Sequence, residues 1–339
     1  MRDGHETLLL ARHPCRILLS LLIAGTCLSL VAWASDSEFR QSQPVVPWFT
    51  GTLLSSRGTT VDQGHVVVEP YFYFTRFGGL YNDNWRLQST TVSRTIVQQT
   101  YFIYGLTNRV DIEIAPQWLD MHSHRESLAG FGDLPFSVGY QLFRGPSDSW
   151  LPDVRIWAQE MFPTGRYTAL APSKTGLGGT GGGSYATTLG IGAQKVIALP
   201  QGHFLRYRVN ITHGFYTPVT VNGFNAYGGG FGTAGRVDPG SVTTVTLAGE
   251  FTITQQLVLA LDLGFQTVDT TRFSGTAGIG VDGEPATVGK GSSNLLTVAP
   301  AVEYHWNAHV ALIAGPWMSV RGRNTSEFLG MVAALYLFM

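Results

Sequence analysis

The stretch FLRYRVNIT, residues 204–212, shows most clearly the pattern that decides the fold. Leu205 and Val209 belong to an apolar series that alternates with a polar series containing Arg206 and Arg208. Side chains of a β-strand point to opposite faces in turn. The stretch therefore predicts a strand with one apolar face and one charged face.

The same alternation recurs along the chain after residue 64. It is clear in VDIEIAPQW, residues 110–118, and in LALDLGFQ, residues 259–266. Most of these segments have the ~10 residues that a tilted membrane strand needs. We count twelve of them, at 65–77, 94–105, 110–122, 133–143, 153–161, 183–199, 204–217, 240–253, 258–270, 294–307, 308–320 and 327–338.

The connections between these segments are sorted by length. Tight links such as GLTNR, LPQGH, TQQL and WNAH alternate with longer ones, although the last of the longer set, 321–326, is short. Barrels of the bacterial outer membrane have short periplasmic turns and long external loops. We therefore expect external loops at 78–93, 123–132, 162–182, 218–239 and 271–293.

The composition favours a membrane location for the strands. Aromatic residues make up 12% of the chain and charged residues 13%, with 41 glycines, whereas a soluble domain has about 25% charged residues. After residue 34 no apolar run approaches the ~18 residues of a membrane helix. The prediction is an all-β fold, a transmembrane antiparallel up-and-down β-barrel of about twelve strands.

The N-terminus has the layout of a cleaved secretory signal. Arg2, Arg12 and Arg16 precede an apolar run from Ile17 to Ala34, which closes on the small-residue pattern AWA. A retained membrane anchor is the alternative, because the run is long enough to span a bilayer. We expect a signal peptide at 1–34, a periplasmic N-terminal segment at 35–63 and a barrel at 64–339, located in the outer membrane of a Gram-negative bacterium.

Removing the predicted signal changes the chemistry that is available. Cys15 and Cys27 both lie within it, so the mature chain has no disulfide framework and no thiolate. Loss of three arginines and two acidic residues leaves 19 basic and 21 acidic residues. Without a basic excess, no nucleic-acid partner is expected.

The glycine-rich stretch GLGGTGGGS, residues 176–184, matches the dinucleotide fingerprint G-x-G-x-x-G. That fingerprint functions only between a strand and a helix, because the phosphates bind at the helix N-terminus. Here a loop precedes the stretch and the strand-like YATTLGIGAQ follows it. We therefore interpret it as an external loop and expect no cofactor.

Charged residues on the second face of the strands are candidates for the lining of the lumen. Opposed acidic and basic walls order permeants by charge; alternatively, these groups pair with one another and fill the barrel. The segment 35–63 either folds into the lumen as a plug or is a loose periplasmic tail. The candidates are Glu69, Asp111, Glu113, Arg155, Arg206, Arg208, Glu250, Asp262 and Glu303.

Three stretches resemble a known family. They are PWFTGTLLSSRGTTVDQGHVVVEPYFYF at 47–74, GFGDLPFSVGYQLF at 130–143 and FPTGRY at 162–167. They are similar to segments of the putative meta-pathway phenol-degradation family. The resemblance implies an outer-membrane barrel with a transport role, linked to uptake of aromatic or other hydrophobic compounds. It implies no catalytic residues.

The sequence thus predicts a channel or transporter for small molecules and not an enzyme. An outer-membrane lipid hydrolase with a closed lumen and a surface-interaction barrel are the alternatives. HSH at 122–124 has a metal-ligand spacing, but no further His or Cys cluster supports it, and a solvated loop is the preferred interpretation. The expected partners are outer-membrane lipid, a small-molecule permeant, and the barrel-assembly machinery, which would read the C-terminal strand ending Phe338-Met339.

Overall fold

The structure is a computed structural model that describes residues 47–124, 126–173 and 177–339. The predicted signal peptide, residues 1–34, lies outside the described residues, as does the start of the N-terminal segment. Among the described residues, no helix is long and apolar enough to cross a membrane.

The described residues form seventeen β-strands and one 3-10 turn at Pro200–Gly202. The first nine strands are β1 (Val66–Tyr81), β2 (Leu87–Thr107), β3 (Val110–Ile114), β4 (Gln117–Ser123), β5 (Glu126–Phe131), β6 (Leu134–Phe143), β7 (Asp153–Phe162), β8 (Ala186–Ala198) and β9 (Phe204–Tyr216). The others are β10 (Val219–Asn222), β11 (Ala234–Asp238), β12 (Val242–Thr252), β13 (Leu257–Val268), β14 (Arg272–Thr276), β15 (Ser293–His305), β16 (Val310–Arg323) and β17 (Thr325–Phe338).

Fourteen of these strands form one antiparallel sheet that closes on itself, because β1 pairs with both β17 and β2. β3 and β4 are two parts of one barrel strand, and so are β5 and β6, since β2 pairs with both β3 and β4 while β4 pairs with β5. The described part of the chain is therefore a closed barrel of twelve strands, which confirms the predicted fold. At the junction, Val66 and Met339 exchange two backbone hydrogen bonds of 2.8 Å.

The burial pattern of β9 confirms the alternation from which the fold was predicted. Arg206, Arg208 and Asn210 are 9%, 3% and 4% exposed, whereas Val209 and Ile211 are 38% and 47% exposed. The exposed face is apolar because it meets hydrocarbon, and the polar face is turned inward. This inversion of the usual soluble pattern holds around the barrel.

The strands extend further than the sequence predicted. β1 and β2 continue through the expected loop at 78–93 and leave only a short turn at 82–86, and β5 occupies most of the expected loop at 123–132. Beyond the hydrocarbon both faces of a strand meet water, so the ladder continues while the apolar alternation disappears. Within the two longest expected loops, β10, β11 and β14 form a separate three-stranded sheet.

One end of the barrel, which we call the short-turn end, holds the start of β1, the end of β17 and the tight links. At the opposite, long-loop end, Asp133, which lies between β5 and β6, holds together the two ends of the loop between β7 and β8. Its carboxylate accepts hydrogen bonds from the backbone N–H groups of Gly165 at 2.9 Å and Gly182 at 2.7 Å. A Cβ on Gly181 would lie 2.1 Å from the Asp133 Oδ1 atom. In the described part of the glycine-rich stretch, 177–184, position 181 therefore requires glycine, because the Asp133 carboxylate lies close to its backbone.

Tyr227 adds to this arrangement of loops. Its hydroxyl donates a 2.7 Å hydrogen bond to the carbonyl oxygen of Gly182. Burial raises the pKa of the Tyr227 phenol to about 12. The phenol therefore keeps its proton, and with it the hydrogen bond, throughout the physiological range of pH.

Candidate functional site: the barrel interior

The N-terminal segment 47–63, which precedes β1, contacts side chains that face the interior. Its backbone N–H groups donate to wall side chains on β15 and, across the barrel from it, on β3, β6 and β8, so the segment crosses the interior and does not follow one wall. The hydrogen bonds are Thr50 N to Glu303 Oε2 at 3.0 Å, Gly58 N to Gln194 Oε1 at 3.0 Å, Thr60 N to Gln141 Oε1 at 2.8 Å and Val61 N to Asp111 Oδ2 at 3.1 Å.

Two apolar side chains anchor the segment. Leu53 is 3% exposed and packs on a wall of small residues that includes Ala260, Ala299 and Ala301. Val61 packs in a second cluster with Val67 and Ile103 near the short-turn end. Because the wall supplies alanines here, a leucine from the segment fits where a larger wall side chain would leave no space.

Gly58 marks the tightest approach of the segment to the wall. A Cβ at this position would lie 2.6 Å from Gln194 Cγ and 2.9 Å from the Gln194 backbone nitrogen. Real Cβ atoms do not come so close to backbone, so only glycine lets the chain lie against β8 at this point.

The structure places seven of the nine predicted lumen residues among buried groups and the other two at the edge of a cavity. Asp111, Glu250, Asp262 and Glu303 have no exposed surface. Arg155, Arg206 and Arg208 are also buried, whereas Glu69 and Glu113 are partly exposed and line the cavity. Whether the nine residues line a path for a permeant remains a prediction.

Three of the arginines pair with two of the carboxylates. Arg155 Nη2 lies 2.7 Å from Asp111 Oδ1. Arg206 makes a two-point contact with Glu250, in which its Nε lies 2.5 Å from Oε2. Arg208 Nε lies 3.7 Å from the same Oε2. Charges removed from water are costly unless they are paired, so these contacts account for the burial of the five groups.

Asp262 and Glu303 form no ion pair with an arginine in the described part of the chain; the segment binds them instead. Thr52 Oγ1 donates a 2.6 Å hydrogen bond to Asp262 Oδ1. Thr50 donates to Glu303 Oε2 from both its Oγ1, at 2.9 Å, and its backbone nitrogen. The segment therefore supplies hydrogen bonds to both buried carboxylates. His305 Nε2 also lies 3.3 Å from Glu303 Oε2, while Glu303 Oε1 has no hydrogen-bond partner among the described residues.

Sequence reasoning missed several interior groups. Arg57 of the segment lies 3.5 Å from Glu113 Oε2 and 3.8 Å from Asp111 Oδ2, measured from its Nη2. The amides Gln141 and Gln194 hold the segment backbone, as described above. Only charged residues on strands were considered as candidates, although both amides also fall on the polar face of their strands, which was the available signal.

A cavity of about 390 Å³ lies between the segment and the wall, within the volume range of small-molecule sites. One side is aromatic, and there Tyr71 stacks on Tyr73 with ring centroids 5.7 Å apart, while Tyr73 meets Trp317 edge-on at 6.4 Å. The cavity is also lined by the aromatic residues Tyr101 and Trp157 and by the charged residues Arg57, Glu69, Glu113, Arg155 and Arg208.

The described residues contain no group of three His, Cys, Asp or Glu side chains that could hold a metal ion. In the HSH sequence, His122 Nε2 lies 2.8 Å from Asp120 Oδ1 on the same strand, β4.

No protein-family model and no curated protein matches this sequence. Among solved structures, the COG4313 outer membrane channel from Pseudomonas putida F1 superposes with a TM-score of 0.60 at 14% identity, over 84% of this chain and 99% of that one. The translocator domain of the autotransporter NalP from Neisseria meningitidis gives 0.42 at 9% identity, over 95% and 97%. The toluene transporter TbuX from Ralstonia pickettii gives 0.36 at 10% identity, over 82% and 90%. The first likeness shows that this chain has the fold of an outer-membrane β-barrel.

Proposed function

We propose that this chain is an outer-membrane channel for the passive uptake of small molecules, exported through a cleaved signal at 1–34. The observation that carries the proposal is the division of the barrel interior between a polar wall and a separate segment, 47–63, which is not part of the barrel wall. A barrel that served only as a scaffold could be filled by its own side chains. Here the wall leaves a space that another part of the chain occupies.

The segment acts as a plug, and diffusion through the barrel requires that it move. Its contacts with the wall are hydrogen bonds to side chains, the ion pairs of Arg57 with Glu113 and Asp111, and the apolar anchors Leu53 and Val61. Water can replace such hydrogen bonds when the segment leaves, because their net free energy is small. The opened path is then lined by Asp111, Glu113, Arg155, Arg206, Arg208, Asp262 and Glu303.

The permeants are small molecules with aromatic or other hydrophobic surface. The aromatic side of the cavity, with Tyr71, Tyr73 and Trp317, supports this proposal, because ring faces pack favourably on one another. The resemblance of three sequence stretches to the phenol-degradation family points the same way. The superposed Pseudomonas putida protein is itself named an outer membrane channel.

Single-channel recording in a planar bilayer tests the proposal. Residues 35–339, refolded, are compared with a variant that lacks residues 35–58 and therefore lacks Leu53 and the threonines that bind Asp262 and Glu303. We expect brief or small openings from the first protein and large, ohmic steps from the second. In the shortened variant, Asp262→Asn with Glu303→Gln is expected to reduce the preference for cations, since two negative charges are lost from the lining.

Folding of each variant is checked by its heat-dependent mobility in a denaturing gel. A folded barrel that conducts no better without residues 35–58 overturns the plug. If neither form conducts, the channel is overturned as well, and lipid hydrolysis and partner binding become the activities to assay.

A further inference from the structure

The cavity between the plug and the wall has a continuous aromatic side. Tyr71 of β1 stacks on Tyr73 with an interplanar angle of 15° and meets Tyr101 of β2 edge-on, with ring centroids 5.4 Å apart. Tyr73 in turn meets Trp317 of β16 edge-on. β17 lies between β1 and β16, but its residue that pairs with Trp317 is Gly330, which has no side chain to separate the rings. We call Tyr71, Tyr73, Tyr101 and Trp317 the aromatic cluster.

Two carboxylates line the same cavity. Glu69 lies on the inner face of β1, two residues before Tyr71, and its cross-strand neighbour on β2 is Tyr101. Among the described residues, Glu69 forms no hydrogen bond and no ion pair, and Arg57 acts on its charge from a greater distance. Glu113 of β3 meets Arg57 at 3.5 Å, which is longer than a usual charged hydrogen bond. Both carboxylates are therefore available to a ligand in the cavity.

The arginines around the cavity are less available than these carboxylates. Arg155 and Arg208 are both 3% exposed, and their guanidinium groups lie against Asp111 and Glu250. Arg57 keeps 17% of its side chain exposed and is the most open of the three. The charged surface that a ligand meets is therefore that of two carboxylates and one guanidinium group.

The interior as a whole has the same sign of charge. The nine predicted lumen residues together with Arg57 comprise six carboxylates and four guanidinium groups, an excess of two negative charges. A positive charge in the cavity reduces this excess, whereas an anion would increase it. Such interactions are stronger in an interior that is shielded from water than at a solvated surface.

We propose that the cavity binds organic monocations in which an ammonium group is attached to an aromatic body. The ammonium group lies beside Glu69 and against the rings of Tyr71 and Tyr101, because a cation is attracted to the negative face of an aromatic ring. The aromatic body packs on the rest of the aromatic cluster. This inference rests on the proposed channel function, for which it names the class of permeant.

Binding to the refolded protein of residues 35–339 tests the proposal without any need for conduction. Three probes of similar size are titrated by calorimetry in one detergent: benzyltrimethylammonium, the uncharged N,N-dimethylbenzamide and the anion phenylacetate. The heat of mixing each probe with empty micelles is subtracted. We expect benzyltrimethylammonium to bind at least about tenfold more tightly than the other two, since only its charge is attracted by both the carboxylates and the ring faces.

Glu69→Gln tests the carboxylate. The substitution keeps the shape of the side chain and removes its charge, so benzyltrimethylammonium should bind at least about tenfold more weakly while N,N-dimethylbenzamide binds as before. The matched control is Glu327→Gln, the same change near the start of β17 and outside the lining of the cavity, which should leave both affinities unchanged. If Glu69→Gln behaves like this control, the ammonium group does not lie beside Glu69 and the site is wrong.

Tyr71 tests the aromatic cluster. Tyr71→Leu keeps an apolar side chain but removes the ring, so the affinity for benzyltrimethylammonium should fall about three- to thirtyfold. Tyr71→Phe keeps the ring, and its affinity should stay within about twofold of the wild-type value. Equal affinities of the two variants would contradict the contact between cation and ring.

The comparison of the three probes on the wild-type protein decides the proposal even if a variant fails to fold. Equal affinity for benzyltrimethylammonium and N,N-dimethylbenzamide, or no binding of either, overturns the cation site. Tighter binding of phenylacetate also overturns it, because the guanidinium groups would then determine the sign of the ligand. Each of these results leaves the channel intact if the chain without residues 35–58 conducts. Conversely, a chain that binds the cation but does not conduct, with or without residues 35–58, overturns the channel and leaves the binding site.

Discussion

Truncation of Leu53 to alanine should release the plug. Leu53 is 3% exposed and lies in a buried apolar cluster with residues of β13, β15, β16 and β17. Replacing a buried leucine by alanine typically lowers the stability of the packed state by about 2.7–5 kcal/mol. The lost free energy of burying the side chain adds to the cost of the cavity that is left behind. The seated state of the plug loses this free energy and the displaced state does not. The displaced fraction should therefore rise at least about 100-fold.

Thiol accessibility measures this fraction even when it is very small. Ser55→Cys, introduced into the protein of residues 35–339, places a thiol in the segment at a position that is 7% exposed, and residues 35–339 contain no other cysteine. If the plug reseats faster than a charged methanethiosulfonate reagent reacts, the rate of modification is proportional to the displaced fraction. We expect Leu53→Ala to raise that rate at least about 100-fold over Ser55→Cys alone.

Leu261→Ala is the matched control, because Leu261 is a lipid-facing residue of β13, beside Ala260 and Asp262. It removes the same atoms from the other side of the same wall, so the modification rate should stay within about twofold of the reference. If Leu53→Ala behaves like Leu261→Ala, the packing of Leu53 does not hold the plug in place. The buried packing of Leu53 would then not control the opening of the barrel.

Three further predictions concern the seat of the plug, the interior charges and the loops. Gly58→Val places carbon atoms against the backbone of β8, so it should unseat the plug and increase single-channel conductance. The heat-dependent gel mobility should not change, because the barrel still folds. Unchanged conductance would contradict the close approach of Gly58 to β8. Glu250→Gln leaves two buried guanidinium groups without their carboxylate and should lower the free energy of unfolding in urea by about 3–5 kcal/mol; a loss below about 1 kcal/mol contradicts the pairing. Asp133→Ala removes the carboxylate that holds together the two ends of the loop between β7 and β8, and trypsin should cleave after Arg166 in that loop at least about tenfold faster. Asp148→Ala at an exposed position of the short-turn end should not change that rate.

The interior charges show which part of the candidate site was accessible from the sequence. Alternation along β9 identified Arg206 and Arg208 as inward-facing, because the face of a residue depends only on its place in its own strand. The partners of these residues were not accessible in this way. Asp111 and Arg155 are 44 positions apart, and Thr50 and Glu303 are 253 apart. A pattern within one strand holds no information about which group lies opposite.

The strands predicted from the sequence are too short for a similar reason, because the pattern reports only local surroundings. Alternation marks a strand only where its two faces meet different surroundings, here hydrocarbon and the barrel interior. β1, β2 and β5 continue into water, where no such difference exists, and the expected loops at 78–93 and 123–132 are therefore largely strands.

By itself, the sequence determined that this is an all-β membrane barrel of twelve strands, and which face of each strand is polar. These properties are local, because each side chain reports its own surroundings. Only the tertiary structure decided that the segment 47–63 binds Asp262 and Glu303, and that Arg155 pairs with Asp111. Both depend on the register between strands and on contacts between distant parts of the chain, which form only when the barrel closes.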